Sequence, residues 1–216
     1  MSSAPPRTLA IECTTQACSV ALFEGDRLVA GDWRLLGRGH AEALVPMIAA
    51  LPGKGQAQRI AVGRGPGSFT GVRIGLAAAR ALALAWEAEL AGYPTLALIA
   101  AMAQAQVPAT PVLVATTGGH GEWFVQNFDS AGLPAGPLAS QKPEIAAVDT
   151  TPLVAGSEAE ALVARRGPMP GQGTALPLWP DARALMALPA ALFTAETEPL
   201  YGRAPDARLP GGVLPA

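Results

Sequence analysis

The chain has 216 residues, of which 50% are hydrophobic and 15% are charged, and its formal net charge is −2. This length suits one large domain or two small ones. The near-neutral charge argues against autonomous binding of nucleic acid, because such binding normally needs a clustered basic face. A surface with so few charges favours association with another protein.

The sequence predicts no disulfide framework, zinc site or membrane span. Cys13 and Cys18 lie in or beside the first apolar run and are expected to be core residues in a reducing compartment. Together with His40 and His120 they match no structural zinc spacing. Residues 90–121 carry no charged side chain, but prolines divide them into segments shorter than the roughly 20 residues of a span. The N-terminus lacks the order of a signal peptide, so we expect a cytoplasmic protein.

In the first half, the sequence predicts three strands followed by alternating helices and strands. Apolar runs separated by turn signals predict strands over residues 7–13, 17–23 and 27–35. Helices are expected where apolar residues recur at helical spacing, over residues 40–51, 71–86 and 96–104. A brief strand over residues 59–62 leads into the second of these helices. This order is that of a ribonuclease-H-like half.

The second half begins as a weaker copy of the first. Strands are predicted over residues 111–115, 122–128 and 153–155, and helices over residues 158–165 and 181–193. Residues 166–180 are rich in Gly and Pro and are expected to be loop, and the Pro/Gly tail after residues 198–203 is expected to be disordered. We expect a boundary near residues 106–110, which gives one domain over residues 1–106 and a reduced second domain over residues 107–216.

The most distinctive stretch is GRGPGSFTG at residues 63–71, a glycine-rich turn that opens a helix. Such turns can bind anions, since free backbone N–H groups and the helix dipole converge there. This turn lacks the lysine of a P-loop, the acidic residue at dinucleotide-binding spacing, and the G-x-S-x-G pattern of a serine nucleophile. We therefore expect a structural turn and helix cap, with no catalytic, cofactor or metal role, formed by Gly65, Gly67, Ser68, Thr70 and Gly71.

The helix over residues 71–86 is apolar nearly all round. One face carries small or apolar residues that allow close packing, namely Gly71, Gly75, Ala78 and Leu82. The opposite face carries Arg73 and Arg80 with apolar residues between them. Two interpretations remain open: a core helix whose arginines reach solvent, or a helix that binds another protein between its two arginines.

The turns that follow the first strand of each half lack the residues of an ATPase. Sugar kinases and actin-like ATPases keep an acidic residue and a glycine after the first strand, to hold Mg²⁺ and phosphate. Residues 11–15 read IECTT, with Glu12 but without a glycine, and the matching residues 116–121 contain no acidic side chain. We therefore do not expect ATP hydrolysis by this chain alone.

The stretch GRGPGSFTGVRIGLAAARALA at residues 63–83 resembles the signature of the TsaB (YeaZ) family. Similar stretches extend over most of the chain: LAIECTTQACSVALF, His40 with the following LVPMI, GEWFVQNF and EPLYGR. The resemblance implies an α/β fold made of a duplicated ribonuclease-H-like (actin-like, ASKHA ATPase) unit. It also implies a part in installing N6-threonylcarbamoyladenosine (t6A) beside the anticodon of tRNAs that read codons beginning with adenine.

In that family, TsaB is the non-catalytic partner of TsaD, which holds the metal and transfers the threonylcarbamoyl group, and TsaE is an ATPase bound to the pair. TsaB proteins pair through helices of the first half, either with TsaD or with themselves. The resemblance implies no bound cofactor, contact with tRNA only through the complex, and no membrane. The partner-binding residues it implies are Arg73, Ile74, Leu76, Ala77, Arg80, Ala81, Leu84 and His40.

The chain also departs from the family pattern. Glu12 stands where an aspartate is common, and Thr117-Gly118-Gly119 stand where Asp-Ala-Arg is common. The alternative function is that of an independent enzyme, either an ATP-binding kinase-like protein or a glycoprotease-like peptidase. Fold alone does not decide between these functions, because the same fold hosts active kinases.

Overall fold

The computed structural model describes residues 5–167 and 172–202, which form two five-stranded sheets. The first sheet has the order β3-β2-β1-β4-β5. Its strands are β1 (Arg7–Glu12), β2 (Ala17–Glu24), β3 (Arg27–Leu35), β4 (Arg59–Gly63) and β5 (Glu89–Tyr93). The second sheet has the order β8-β7-β6-β9-β10. Its strands are β6 (Val112–Thr117), β7 (Trp123–Phe128), β8 (Ala139–Gln141), β9 (Leu153–Ala155) and β10 (Thr174–Leu176).

The two sheets repeat one topology. In each, three antiparallel strands form a meander, and two further strands are added parallel to its first strand. The predicted duplicated ribonuclease-H-like, actin-like α/β fold is therefore confirmed. The second half is reduced in its helices rather than in its number of strands.

The α-helices of the described residues are α1 (His40–Ala50), α2 (Phe69–Trp86), α3 (Thr95–Gln106), α4 (Pro143–Ala146) and α5 (Ala159–Arg165). Short 3₁₀ helices occupy Pro52–Gly55, Ala182–Ala187 and Ala190–Leu192. Helices α1 and α2 pack their buried residues on the outer face of the first sheet, and α5 covers the outer face of the second. The longest helix, α2, begins directly after the glycine-rich turn.

Helix α3 lies between the two sheets and joins the halves into one core. Its Leu96, Leu98 and Ile99 side chains are completely buried in a cluster with residues of both sheets, such as Phe23 and Val114. A helix that is apolar all round needs such burial on several sides. The uncharged stretch at residues 90–121 is therefore explained by a central helix followed by a central strand.

The C-terminal segment, residues 177–202, returns to the first half. The Trp33 indole N–H donates to the Pro180 carbonyl oxygen at 3.3 Å, and the Ala182 N–H donates to the buried Ser19 hydroxyl at 2.9 Å. Farther along, Thr194 and Gly92 exchange backbone hydrogen bonds. A division into residues 1–106 and 107–216 stays a prediction, and it does not account for this segment.

Two local expectations in the second half are wrong, and two short elements were not expected. Residues 181–193 do not form one helix, because Pro189 lacks a backbone N–H and separates the two 3₁₀ turns. The loop expected over residues 166–180 contains β10, which pairs parallel with β9. Strand β8 and helix α4 were not predicted, since elements of three or four residues carry too little periodicity. The expected disordered tail and residue 203 lie outside the described residues.

By length and composition, α2 also satisfies the criterion for a membrane span. Only 28% of this helix is buried inside the protein. A single such helix is weak evidence, because helices of soluble proteins meet the same criterion. The expectation that the chain does not enter a membrane stays a prediction. The exposure of this apolar helix nevertheless requires an explanation.

Candidate functional site

The glycine-rich turn holds the start of α2 against the end of β1. A Cβ atom at Gly67 would overlap the Thr14 carbonyl oxygen, and one at Gly71 would overlap that of Cys13, so both positions need glycine. The Ser68 N–H donates to the Thr14 carbonyl oxygen at 2.6 Å, and the Ser68 hydroxyl accepts the Gly71 N–H at 3.2 Å. Ser68 is therefore the N-cap of α2, and its hydroxyl is engaged in that role.

Two other predicted turn residues differ in environment. Gly65 is buried with φ of +97°, a conformation that favours glycine, and its N–H donates to the Thr95 hydroxyl at 3.2 Å. Thr70 is exposed in the first turn of α2. The turn is thus tied to both β1 and α3, which fixes the direction in which α2 leaves the sheet.

Glu12 is completely buried behind this turn. Its carboxylate accepts the Thr14 N–H at 2.8 Å and the Thr95 hydroxyl at 3.2 Å. Burial raises the pKa of Glu12, and the hydrogen bonds from Thr14 and Thr95 offset only part of that rise. Because the side chain is enclosed by its own half, Glu12 does not face a space in which a substrate could lie.

Only part of the predicted partner surface is exposed. Ala77, Arg80, Ala81 and Leu84 are exposed, and the Leu84 side chain is 84% exposed. Ile74 is half-buried and packs against the core of the first half. Leu76 lies beneath this surface, because its side chain is 2% exposed and belongs to the core under α2; its part in partner binding stays a prediction.

His40 also lies beneath the exposed surface, and its part in partner binding stays a prediction. Its ring is 7% exposed, and Nε2 lies 3.3 Å from the Ala17 carbonyl oxygen. Helix α1 exposes Glu42 in its first turn and also a row of small apolar residues, Ala41, Val45 and Ala49, spaced four residues apart. Residues at this spacing share one helix face. The four-residue spacing of these side chains could have revealed this face from the sequence.

The two arginines of α2 contact the C-terminal segment of the same chain. Arg80 donates to the Thr197 carbonyl oxygen at 2.7 Å. Arg73 donates to the Phe69 carbonyl oxygen at 3.0 Å and to the Tyr201 hydroxyl, with its guanidinium 3.4 Å from the centre of the Phe69 ring. In the free chain these arginines therefore hold residues 194–202 beside α2, a role that sequence spacing could not reveal.

A cleft of about 720 Å³ opens beside the start of α2. Its walls come from the turn after β1, the first turns of α2, the turn after β6, β7, and the C-terminal segment. We call this space the interlobe cleft; its lining includes Thr15, Ser68, Phe69, Arg73, Thr116, His120, Phe124 and Tyr201. Among the lining residues that the structure describes there is no carboxylate.

The described residues offer little catalytic machinery. They contain no group of three His, Cys, Asp or Glu side chains placed to hold a metal ion. The Ser68 hydroxyl caps α2, and both cysteines are buried with pKa values raised by burial, that of Cys18 to about 11. The expected absence of catalytic residues, cofactor and metal stays a prediction.

Comparisons with known proteins find a TsaD family model and relatives named TsaB. The family model for TsaD, described as tRNA N6-adenosine threonylcarbamoyltransferase, matches residues 34–134. The "tRNA threonylcarbamoyladenosine biosynthesis protein TsaB" of Escherichia coli K12 is 40% identical over 148 residues, which cover 64% of each chain. The protein of the same name from Haemophilus influenzae is 41% identical over 103 residues, 45% of this chain and 42% of that relative. These matches span less than two thirds of either relative.

Solved structures match along nearly the whole chain. A Pseudomonas aeruginosa protein described as uncharacterized, with similarity to peptidase YEAZ, has a TM-score of 0.75 and 30% identity, covering 92% of this chain and 100% of its own. YeaZ from Pseudomonas aeruginosa has a TM-score of 0.75 and 29% identity, covering 91% of this chain and 99% of its own. The glycine-rich turn, the exposed helix after it and these similarities lead to one conclusion: the chain belongs to the TsaB (YeaZ) family.

Proposed function

We propose that this chain is a non-catalytic subunit that binds a TsaD-type threonylcarbamoyltransferase and activates it for t6A formation in tRNA. The observation that carries the proposal is the exposed apolar face of α2, formed by Ala77, Ala81 and Leu84. This face lies on an 18-residue helix that is otherwise anchored in the core. Exposed apolar patches of this kind mark surfaces that another protein covers.

The neighbouring helix α1 extends this surface. It packs beside α2 and exposes Ala41, Val45 and Ala49, of which Val45 is 61% exposed. Small side chains let the backbone of a partner helix approach closely, and the apolar area covered contributes roughly 25 cal/mol for each Å² removed from water. The two helices together therefore suit a helical partner better than a charged or nucleic-acid surface.

The choice of TsaD as partner rests on the family. The E. coli and H. influenzae relatives are named for t6A biosynthesis, and the matching TsaD model spans α1 and α2. A two-fold pair of copies buries the same surface patch on both chains, so one exposed patch is enough for such a pair. We accordingly propose a heterodimer with TsaD, pairing of two copies of this chain in the absence of TsaD, and binding of TsaE to the TsaB–TsaD pair.

The same proposal assigns catalysis of the transfer and binding of tRNA to the complex with TsaD. Glu12 and His40 are buried within the first half, and the Ser68 hydroxyl caps α2. These three side chains therefore support structural roles for themselves. The net charge of −2 favours contact with tRNA only through the partner. We also propose a cytoplasmic location. No contact among the described residues favours the alternative of a kinase-like enzyme or a peptidase.

The decisive experiment is co-purification with the TsaD protein of the same organism. Ala77→Glu places a charge at the centre of the exposed face and should lower the affinity for TsaD by about 100-fold, because an unpaired buried charge costs several kcal/mol. Ala164→Glu is the matched control, since Ala164 is exposed on α5 at the far side of the fold. Unchanged binding of Ala77→Glu, or equal loss with Ala164→Glu, would contradict the assigned surface.

A further inference from the structure

Residues 194–202, which we call the strap, lie beside α2 without entering the core. Phe193, just before the strap, packs on the core, with its ring centre 6.2 Å from that of buried Tyr93. Thr194 then exchanges two backbone hydrogen bonds with Gly92 at the edge of the first sheet. No residue of the strap is buried. The strap is therefore anchored in the core only through the residues that precede it.

Polar contacts near the surface hold the rest of the strap. Arg64, in the glycine-rich turn, donates to the Glu198 carbonyl oxygen at 2.9 Å, and the Leu200 N–H donates to the Arg64 carbonyl oxygen at 2.8 Å. Each such bond contributes little net free energy, because water competes for the same groups. Segments with few buried contacts open locally at low cost. The strap can therefore leave α2 while Phe193 stays in the core.

The strap meets the Arg80 side chain with neutral acceptors. The guanidinium donates to the Thr197 carbonyl oxygen at 2.7 Å and to the Thr197 hydroxyl at 3.4 Å. No carboxylate of the described residues forms an ion pair with Arg80. An arginine binds a carboxylate through two parallel hydrogen bonds, to which the attraction of opposite charges is added. Where a partner excludes water, a carboxylate therefore binds Arg80 more strongly than the Thr197 oxygens do.

Arg80 stands at the border of the exposed apolar face of α2. Residues three or four apart on a helix are neighbours, so Arg80 lies beside Ala77 and Leu84. A protein that covers these two side chains also comes against Arg80 and the strap. Covering Arg80 while only neutral groups meet its charge costs free energy. A partner that supplies a carboxylate avoids this cost, but it must first take Arg80 from Thr197.

We propose that the strap is an autoinhibitory contact, which holds Arg80 in the free chain and is displaced by a partner that brings a carboxylate to Arg80. Residues 196–202 move away from α2, and the paired Thr194 and Gly92 form the hinge. The inference rests on the proposed function, since α2 must be the surface that TsaD covers. Only the open fraction of the chain is competent to bind, so the strap lowers the affinity for TsaD.

Hydrogen exchange of the isolated full chain tests whether the strap opens. Arg64→Met removes the guanidinium that holds Glu198 and keeps an aliphatic stem beside Gly92. Exchange of the Leu200 N–H should then accelerate about fivefold, as expected for one lost hydrogen bond. The Ala182 N–H, bonded to Ser19 in the core, is the control and should keep its exchange rate. Unchanged exchange of Leu200 overturns the proposal.

The affinity for TsaD tests the autoinhibition. Arg64 lies outside α2, so Arg64→Met leaves the exposed face intact and should bind TsaD about fivefold more tightly than the unsubstituted chain. Arg80→Gln should weaken binding about tenfold, because the carboxylate of the partner loses its cation. Equal or weaker binding by Arg64→Met overturns the proposal, as does equal or tighter binding by Arg80→Gln.

Exchange in the complex tests displacement without any substitution. When TsaD binds the unsubstituted chain, the Leu200 N–H should exchange about tenfold faster, whereas the Thr194 N–H at the hinge should stay protected. Retained protection of Leu200 in the complex overturns the displacement and leaves the proposed function intact. Failure of both the unsubstituted chain and Arg64→Met to bind TsaD overturns the proposed function, and this inference with it.

Discussion

Two leucines of α2 provide a direct comparison between core and surface. Leu76 is 2% exposed and packs with Val62 and Met47 in the core of the first half, whereas Leu84 is 84% exposed. Leu76→Ala should lower the free energy of unfolding by about 2–5 kcal/mol, through lost burial and the cavity left behind. Leu84→Ala should change it by no more than about 0.5 kcal/mol.

The magnitude for Leu76→Ala is large relative to the roughly 5–15 kcal/mol of total stability of a typical domain. At about 2–4 °C per kcal/mol for a chain of this size, the melting temperature should fall by roughly 4–20 °C. Urea unfolding followed by circular dichroism measures both variants, at two protein concentrations so that self-association is detected. A cost above about 2 kcal/mol for Leu84→Ala, or below about 1 kcal/mol for Leu76→Ala, refutes the assignment of the two faces.

The affinity for TsaD should show the opposite order of effects, with Leu84→Ala weakening binding more than Leu76→Ala. Leu84→Ala should weaken the complex with TsaD about tenfold or more, because the side chain loses its buried contacts only there. Folded Leu76→Ala should bind TsaD within a few-fold of the unsubstituted chain. Equal effects of the two variants on TsaD binding would show that α2 does not present its exposed face to the partner.

Three further outcomes test the interior. Burial raises the pKa of Glu12 above 4.5, so its stabilising contribution is complete below about pH 4.5 and is lost as the pH rises through the folded-state pKa. Glu12→Gln should therefore flatten the fall of the urea midpoint above that pH, and an unchanged pH profile would contradict this. Thr95→Val removes the hydroxyl that contacts Glu12, Thr14 and the Gly65 N–H, and should lower the free energy of unfolding in urea by about 1–3 kcal/mol. The matched Thr95→Ser variant keeps the hydroxyl and should retain most of that free energy. Ser19→Ala leaves the buried Ala182 N–H without its acceptor, so hydrogen exchange of Ala182 should accelerate by about tenfold, and unchanged protection would contradict the docking of the C-terminal segment.

Much of the first half was predictable because its signals are local. The meander of β1 to β3 follows from apolar runs and the Glu24-Gly25-Asp26 turn, and α2 begins after the N-cap Ser68, two residues before its predicted start. The family signature added the repeated topology, which the strand order of both sheets confirms. Apolar runs bounded by turn residues therefore sufficed for strands that are buried on both faces.

The faces of α2 and the end of the chain were harder to predict, for physical reasons. A helix that is apolar nearly all round gives no pattern that distinguishes buried Leu76 from exposed Leu84. The contacts of Arg80 with Thr197 and of Arg73 with Tyr201 join residues far apart in sequence. Their partners follow from the return of the C-terminal segment to the first half, which no local pattern encodes.

The central claim is that the chain activates TsaD through α2 and performs no transfer itself. The most direct measurement is t6A formation on tRNA by the TsaD and TsaE proteins of the same organism, supplied with a threonylcarbamoyl donor, with and without this chain. We predict modification only when the chain is present, its loss with Ala77→Glu, and full activity with Ala164→Glu. Transfer by the chain without TsaD, or equal t6A formation with and without the chain, would contradict the account.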